Sequence, residues 1–235
     1  GKGLITNKAL NPDKTHEFPY YANNTISNFG NLIIESGYLE NTTEGGASYV
    51  IDNLSTINNA ILQINGGKIV SPKNFAVRLY ANSTIYKNTV TITNGILEGI
   101  RAIWLQLPGS SGEKKLAEIN ISGGTLKSID IEYYLAIYSY TFGDSFENTN
   151  INISGGTFIG NIAFTGGTKK IPTENVSITG GYFKGNYGVY SYGNMEPFIK
   201  GGRFVADPSE YVDLNTYEVN IVDGEYVVNE RKIGW

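Results

Sequence analysis

Asp130 and Glu132 stand two residues apart in the segment SIDIEYY, and Asp144 and Glu147 follow in FGDSFEN. Carboxylates at that spacing on a strand share one face, where they could hold a hard cation or divide the roles of acid and base. The single histidine, His16, is the one side chain whose ordinary pKa lies close to neutrality. The chain has no Cys, so it contains no disulfides, thiolate metal sites or cysteine nucleophiles. The carboxylates read more simply as the solvated edge of a loop, and His16 as a surface or cap residue. No catalytic residue, metal ligand or cofactor is assigned.

Aromatic side chains carry a stronger pattern. Five segments, FAVRLYA (75–81), RAIWLQL (101–107), LAIYSYT (135–141), NIAFTG (161–166) and YGVYSYG (187–193), align on a small residue: Ala76, Ala102, Ala136, Ala163 and Gly188. One position on, Val77, Ile103, Ile137, Phe164 and Val189 are apolar and are expected to point inward. Two positions on, Arg78, Trp104, Tyr138, Thr165 and Tyr190 are expected to point outward. So are Tyr80, Gln106, Tyr140, Gly167 and Tyr192, four positions on. Arg78, Tyr80, Trp104, Tyr138, Tyr140, Tyr190 and Tyr192 thus form a candidate ligand-binding face. Flat rings with a polar edge suit sugar rings or a protein partner. The competing readings are a contact between copies of the chain, such as a trimer, and cover by the segments 107–117 and 166–174.

Such a face needs strands held in register, and a repeat supplies them. The patterns ISGGTL (121–126), INISGGTFIG (151–160) and VSITGGYFKG (176–185) are copies of one unit. Its second glycine recurs at Gly37, Gly67, Gly95, Gly124, Gly156, Gly181 and Gly202, with spacings of 30, 28, 29, 32, 25 and 21 residues. Three positions earlier stands Ile34, Ile64, Ile92, Ile121, Ile153, Ile178 or Ile199, without exception. Two positions later stands Leu39, Ile69, Leu97, Leu126, Phe158, Phe183 or Phe204. Mostly Asn, Ser, Thr and Gln fill the places between, which is the alternation of short half-buried strands.

The glycine pair marks a corner that needs positive φ, where Asn is the next best residue; Ser36 and Asn94 replace the first glycine. Coils of this length, each unable to bury its own apolar face, predict a parallel β-helix. About seven coils are expected, right-handed by the usual chirality of parallel crossovers. The ends of such a stack are open strand edges that must be covered. Residues 1–30 look irregular and are expected to form an N-terminal cap, 31–205 the repeats, and 206–235 a C-terminal cap. In that last segment Asp223-Gly224 between alternating strands predicts a hairpin.

The ISGGTF-type repeats closing on FVADPSEYV, YEV and DGEYVV resemble the β-helical repeat regions of surface proteins from low-GC gut bacteria and of their phages. That resemblance implies adhesion or display at a bacterial cell surface or on a virion, and the aromatic face adds host or cell-surface glycans as the expected partners. Two alternatives stand beside it: a polysaccharide lyase or glycoside hydrolase, and a purely structural phage fibre or decoration protein. Pectin-degrading β-helix hydrolases carry a Gly-His-Gly and an Arg-x-Lys, and this chain has neither.

Composition narrows the partners. The 235 residues are 40% hydrophobic and 17% charged with 29 Gly, enough apolar surface for a packed core. A net charge of −4 gives no electrostatic footprint for nucleic acid or an anionic membrane, and no apolar run approaches the roughly 20 residues of a membrane span. Starting at Gly1 with no visible signal peptide, the chain is expected to be a processed or trimmed piece. Seven Asn-x-Ser/Thr sequons, at Asn23, Asn41, Asn53, Asn82, Asn120, Asn152 and Asn175, follow from an Asn-rich composition and imply no glycosylation.

Overall fold

A computed structural model describes residues 4–7, 23–44, 48–107, 116–130, 132, 134–141, 149–166, 175–191 and 196–232. Among them the chain is a parallel β-solenoid with three sheets and an antiparallel hairpin at its C-terminal end. The ten-stranded sheet starts with Leu4–Asn7, Tyr38–Asn41 and Lys68–Ser71, and ends on Gly202–Phe204 followed by the hairpin strands Glu225–Glu230 and Tyr217–Val222. The seven-stranded sheet runs from Ile26–Asn28 through Tyr49–Ser55, Phe75–Ala81, Ile103–Leu107, Leu135–Thr141 and Asn161–Gly166 to Val189–Ser191. The six-stranded sheet runs from Asn31–Ile34 to Val176–Ile178, and Ile199 adds one further bridge to Ile178.

The isoleucine repeat becomes one continuous internal ladder. Ile34, Ile64, Ile92, Ile121, Ile153, Ile178 and Ile199 pair in succession, and each is buried. Across the glycine corner, Leu39, Ile69, Leu97, Leu126, Phe158, Phe183 and Phe204 form a second ladder. Its last three rings stack face to face, with centroids 4.8 and 4.5 Å apart. Parallel stacking repeats each position at about the strand spacing of 4.8 Å, so identical apolar residues fill the interior at a constant depth.

The two glycines of the corner act for different reasons. Gly37, Gly67, Gly95, Gly124, Gly156, Gly181 and Gly202 all have positive φ, between 83° and 121°. The first glycine does not: outside glycine, positive φ among the described residues occurs only at Tyr134 and Asp223, so neither Ser36 nor Asn94 adopts it. Its constraint is steric instead. A Cβ on Gly123 would sit 2.1 Å from the carbonyl oxygen of Thr93 in the coil below, and one on Gly155 2.3 Å from that of Ser122. Thr125 and Thr157 donate to carbonyls of that lower corner, Gly95 and Gly124, at 2.8 Å, which draws the coils together there.

The N-terminal end departs from the simple cap picture, and the C-terminal end keeps to it. Residues 1–30 are not irregular throughout: Leu4–Asn7 already pairs with Tyr38–Asn41, and Ile26–Asn28 with the strand Tyr49–Ser55. Two short pieces of the expected N-terminal cap are therefore coil strands, whose brevity hides their alternation. At the other end the hairpin turns at Asp223-Gly224 with both residues at positive φ, as the dipeptide predicts. Tyr217, Val219 and Tyr226 of the hairpin pack against the core, and the 3-10 turn Ser209–Tyr211 precedes it.

Candidate binding face

The seven-stranded sheet carries the aromatic pattern. Strand pairing places Asp52, Arg78, Trp104, Tyr138, Ala163 and Tyr190 on consecutive rungs of one ladder. The next ladder outward along the strands holds Leu54, Tyr80, Gln106, Tyr140 and Thr165. This corrects one rung of the sequence alignment. Ala163 pairs with Tyr138 rather than with Ala136, because the pairing shifts by one residue between Leu135 and Ile137. The rung assigned to Thr165 therefore belongs to Ala163, which is fully buried between the Tyr138 and Tyr190 positions.

Strict alternation also fails at the start of these strands. Val50 and Ile51, Ala76 and Val77, Ala102 and Ile103, and Ala136 and Ile137 are adjacent pairs in which both residues are buried. The residue before each of the first three pairs joins the aromatic side instead. Tyr49 and Phe75 stack with centroids 5.7 Å apart, and Trp104 lies 4.8 Å from Phe75 and 6.0 Å from Tyr49. The guanidinium of Arg101 lies 4.4 Å from the Tyr138 ring centroid, 5.3 Å from Phe75 and 5.9 Å from Trp104. Tyr49, Asp52, Phe75 and Arg101 were not legible as members of this face. The doubled small-then-branched pairs VI, AV and AI were the signal that could have found them.

Charge organises the centre of the cluster. Arg78 donates from Nε to Oδ1 of Asp52 at 2.8 Å and from Nη2 to Oδ2 at 2.6 Å, and from Nη1 to Oε1 of Gln106 at 3.0 Å. Asn24 Nδ2 donates to the same Asp52 carboxylate at 2.9 Å. The guanidinium is also held between two rings, 4.3 Å from the Tyr49 centroid and 4.8 Å from that of Tyr80. Burial works against the charge on Arg78, but the hydrogen bonds and charge of Asp52 outweigh it and hold its pKa above the ordinary arginine value. Burial pushes the Tyr49 hydroxyl up to about 12, only partly opposed by the charge of Arg78, so Tyr49 is neutral. Arg78 is thus committed to bracing the face, with three of its N–H groups already in use.

The remaining members divide by exposure. Tyr49 and Asp52 are almost completely covered, at 1% and 2%. Phe75, Tyr80, Arg101, Trp104, Gln106 and Tyr138 are half-buried, so their outer surfaces reach solvent. The indole Nε1 of Trp104 is buried and has no hydrogen-bond partner among the described residues. Tyr190 is half-buried and meets the exposed Tyr187 edge to face at 6.2 Å. The side chain of Tyr140, all of Tyr192, and segments 108–115 and 167–174 lie outside the described residues, as do His16, Asp144 and Glu147.

The carboxylate pair follows its simpler reading as a loop edge and does not share a strand face. Asp130 and Glu132 lie beyond the strand Thr125–Ser128, and the Glu132 backbone N–H donates to Asp130 Oδ1 at 2.8 Å. A local side-chain turn of this kind, common for Asp, replaces the shared strand face. Among the described residues no group of three or more His, Asp or Glu is placed to hold a metal ion.

What the outer face offers is a half-exposed row of rings, Phe75, Trp104 and Tyr138, with Arg101 lying against all three and the Arg78–Asp52 pair beside them. The chain matches no protein-family model, no curated protein and no solved structure.

Proposed function

We propose that this chain is a non-enzymatic β-solenoid for adhesion or display at a bacterial cell surface or on a virion, and that it binds glycans through the outer face of its seven-stranded sheet. The observation that carries this reading is the register pairing of Trp104 with Tyr138, with Arg101 against both rings. Adjacent rungs stand about 4.8 Å apart, close to the length of a sugar ring, so a pyranose can stack on each. Arg78 does not contact the ligand in this reading. It fixes the platform, because three of its five N–H groups are held by Asp52 and Gln106. Tyr190 extends the strip beyond the Ala163 gap, two rungs from Tyr138. An open, shallow face buries little ligand area, so affinity is weak for one site and rises where many copies are displayed together.

A glycan array and titration calorimetry test the reading. Trp104→Ala and Tyr138→Ala are expected to weaken binding several-fold each, with the far-ultraviolet circular dichroism spectrum unchanged. An array that stays blank for the native chain, or binding indifferent to both substitutions, overturns it.

A further inference from the structure

The hairpin strand Tyr217–Val222 ends the ten-stranded sheet: it pairs with Glu225–Glu230 on one side and with no described strand on the other. Which of its backbone groups face the open side follows from two bonds. Arg231 N–H donates to the carbonyl of Thr216 at 3.0 Å, and residues 222 and 225 flank a two-residue turn. In an antiparallel ladder the direction alternates, so residues 216, 218, 220 and 222 bond inward, and 217, 219 and 221 point out. Tyr217 is already satisfied, its N–H donating to Asp213 at 2.8 Å and its carbonyl accepting from Arg231 Nε at 3.1 Å. That leaves the N–H and C=O of Val219 and of Ile221 facing outward.

We infer that this edge pairs with the same edge of a second copy, antiparallel and centred on Asn220. Only that register satisfies all the open groups at once. Val219 of one copy bonds Ile221 of the other, and the reverse, giving four hydrogen bonds about a two-fold axis. The side chains agree. Tyr217, Val219 and Ile221 share the core-facing side, where Ile221 overhangs the core and is 69% exposed. In the pair each Ile221 lies beside the partner copy's Val219. On the opposite side Asn220 meets Asn220, and Glu218 meets Val222, so no like charges face one another. The strand carries no Lys, Pro or bulge, the usual devices that keep an edge unpaired. The hairpin also stands two strand spacings, about 10 Å, beyond the last coil strand, which gives two solenoids room to meet end to end. The contact is small, well below the roughly 1,200 Å² of a stable complex, so the dimer is weak and concentration-dependent.

Sedimentation velocity over a concentration series, with a cross-linking arm, tests this. Ile221→Pro removes an outward N–H without touching the inward ladder. It is expected to weaken the dimer about thirty-fold, the ordinary net worth of the two bonds lost by symmetry, and to leave the melting curve unchanged. Because the chain has no Cys, Asn220→Cys introduces a single thiol at the axis. A non-hydrogen-bonded pair there places the two Cα atoms about 4.5 Å apart, within disulfide reach. Mild oxidation is expected to link N220C into a covalent dimer and to leave E218C unlinked. A monomer at every concentration, a dimer that survives Ile221→Pro, or equal linking of the two thiol variants overturns the inference.

Discussion

Arg78 stands one coil above Asp52 and grips its carboxylate with two bonds, at 2.8 and 2.6 Å, across 26 residues of chain. Their side chains are only 16% and 2% exposed. Removing one partner of such a pair strands the other charge in a poorly solvated place. Asp52→Ala is therefore expected to cost about 3–5 kcal/mol in equilibrium denaturation. Replacing both, as Asp52→Leu with Arg78→Met, should recover most of that loss. A single substitution costing under about 0.5 kcal/mol would show that the pair is solvated and does not brace the ring platform.

The two corner glycines are expected to respond differently to substitution. Gly124→Ala meets a positive-φ strain of about 1–2 kcal/mol together with a tight Cβ approach of 3.0 Å to the Gly95 carbonyl oxygen, and Gly124→Asn relieves only the conformational part because Asn tolerates positive φ. Gly123→Ala meets the Thr93 carbonyl instead and must push two coils apart, an overpacking cost of about 1–3 kcal/mol that Asn does not relieve. Thermal unfolding of the four variants at Gly123 and Gly124 checks this. An Asn that rescues both sites equally would contradict the division between backbone conformation and coil contact.

Acid is expected to loosen the C-terminal cap. Glu225 on the hairpin accepts from the Tyr182 hydroxyl at 2.5 Å and from Arg203 Nε, both on the last coils. The bond from Tyr182, then that from Arg203, holds its carboxyl below the ordinary glutamate value of 4.5. A depressed folded-state pKa makes the clamp fully effective above that ordinary value, and it is lost as pH falls through the folded one. Protection factors of the hairpin amides, which correct for the intrinsic slowing of exchange in acid, should therefore fall on acidification below pH 4.5 in the native chain. Glu225→Gln should remove that acid dependence. An acid response unchanged by the substitution would assign it to other carboxylates.

The ladder positions were legible because their causes are local. Isoleucine three residues before each second glycine reports a buried strand end, and positive φ reports a corner; neither depends on which coil lies above. The same is true of Asp223-Gly224, whose own conformational preference makes the hairpin. The aromatic face was legible only in part. Trp104, Tyr138 and Tyr80 could be placed outward by alternation, and pairing sets Trp104 beside Tyr138. Tyr49, Phe75 and Arg101 could not, because a doubled inward pair ahead of them reverses the alternation.

The amino-acid sequence by itself determined a stack of coils, where each coil turns, which apolar residues fill the interior, and that a hairpin closes one end. These are consequences of strand periodicity and glycine's missing Cβ, and they repeat in every copy. Only the tertiary structure decided what stands next to what across coils. Loops of unequal length leave the register between neighbouring strands open, and packing settles it: Ala163 moves to the Tyr138 rung, and Asp52 comes under Arg78 rather than facing water. The same assembly turned the hairpin into a terminal edge with two residues' backbone groups unspent. A ladder of hydrogen bonds exists only once its neighbours are in place, and Tyr217–Val222 ends its sheet with no second neighbour among the described strands.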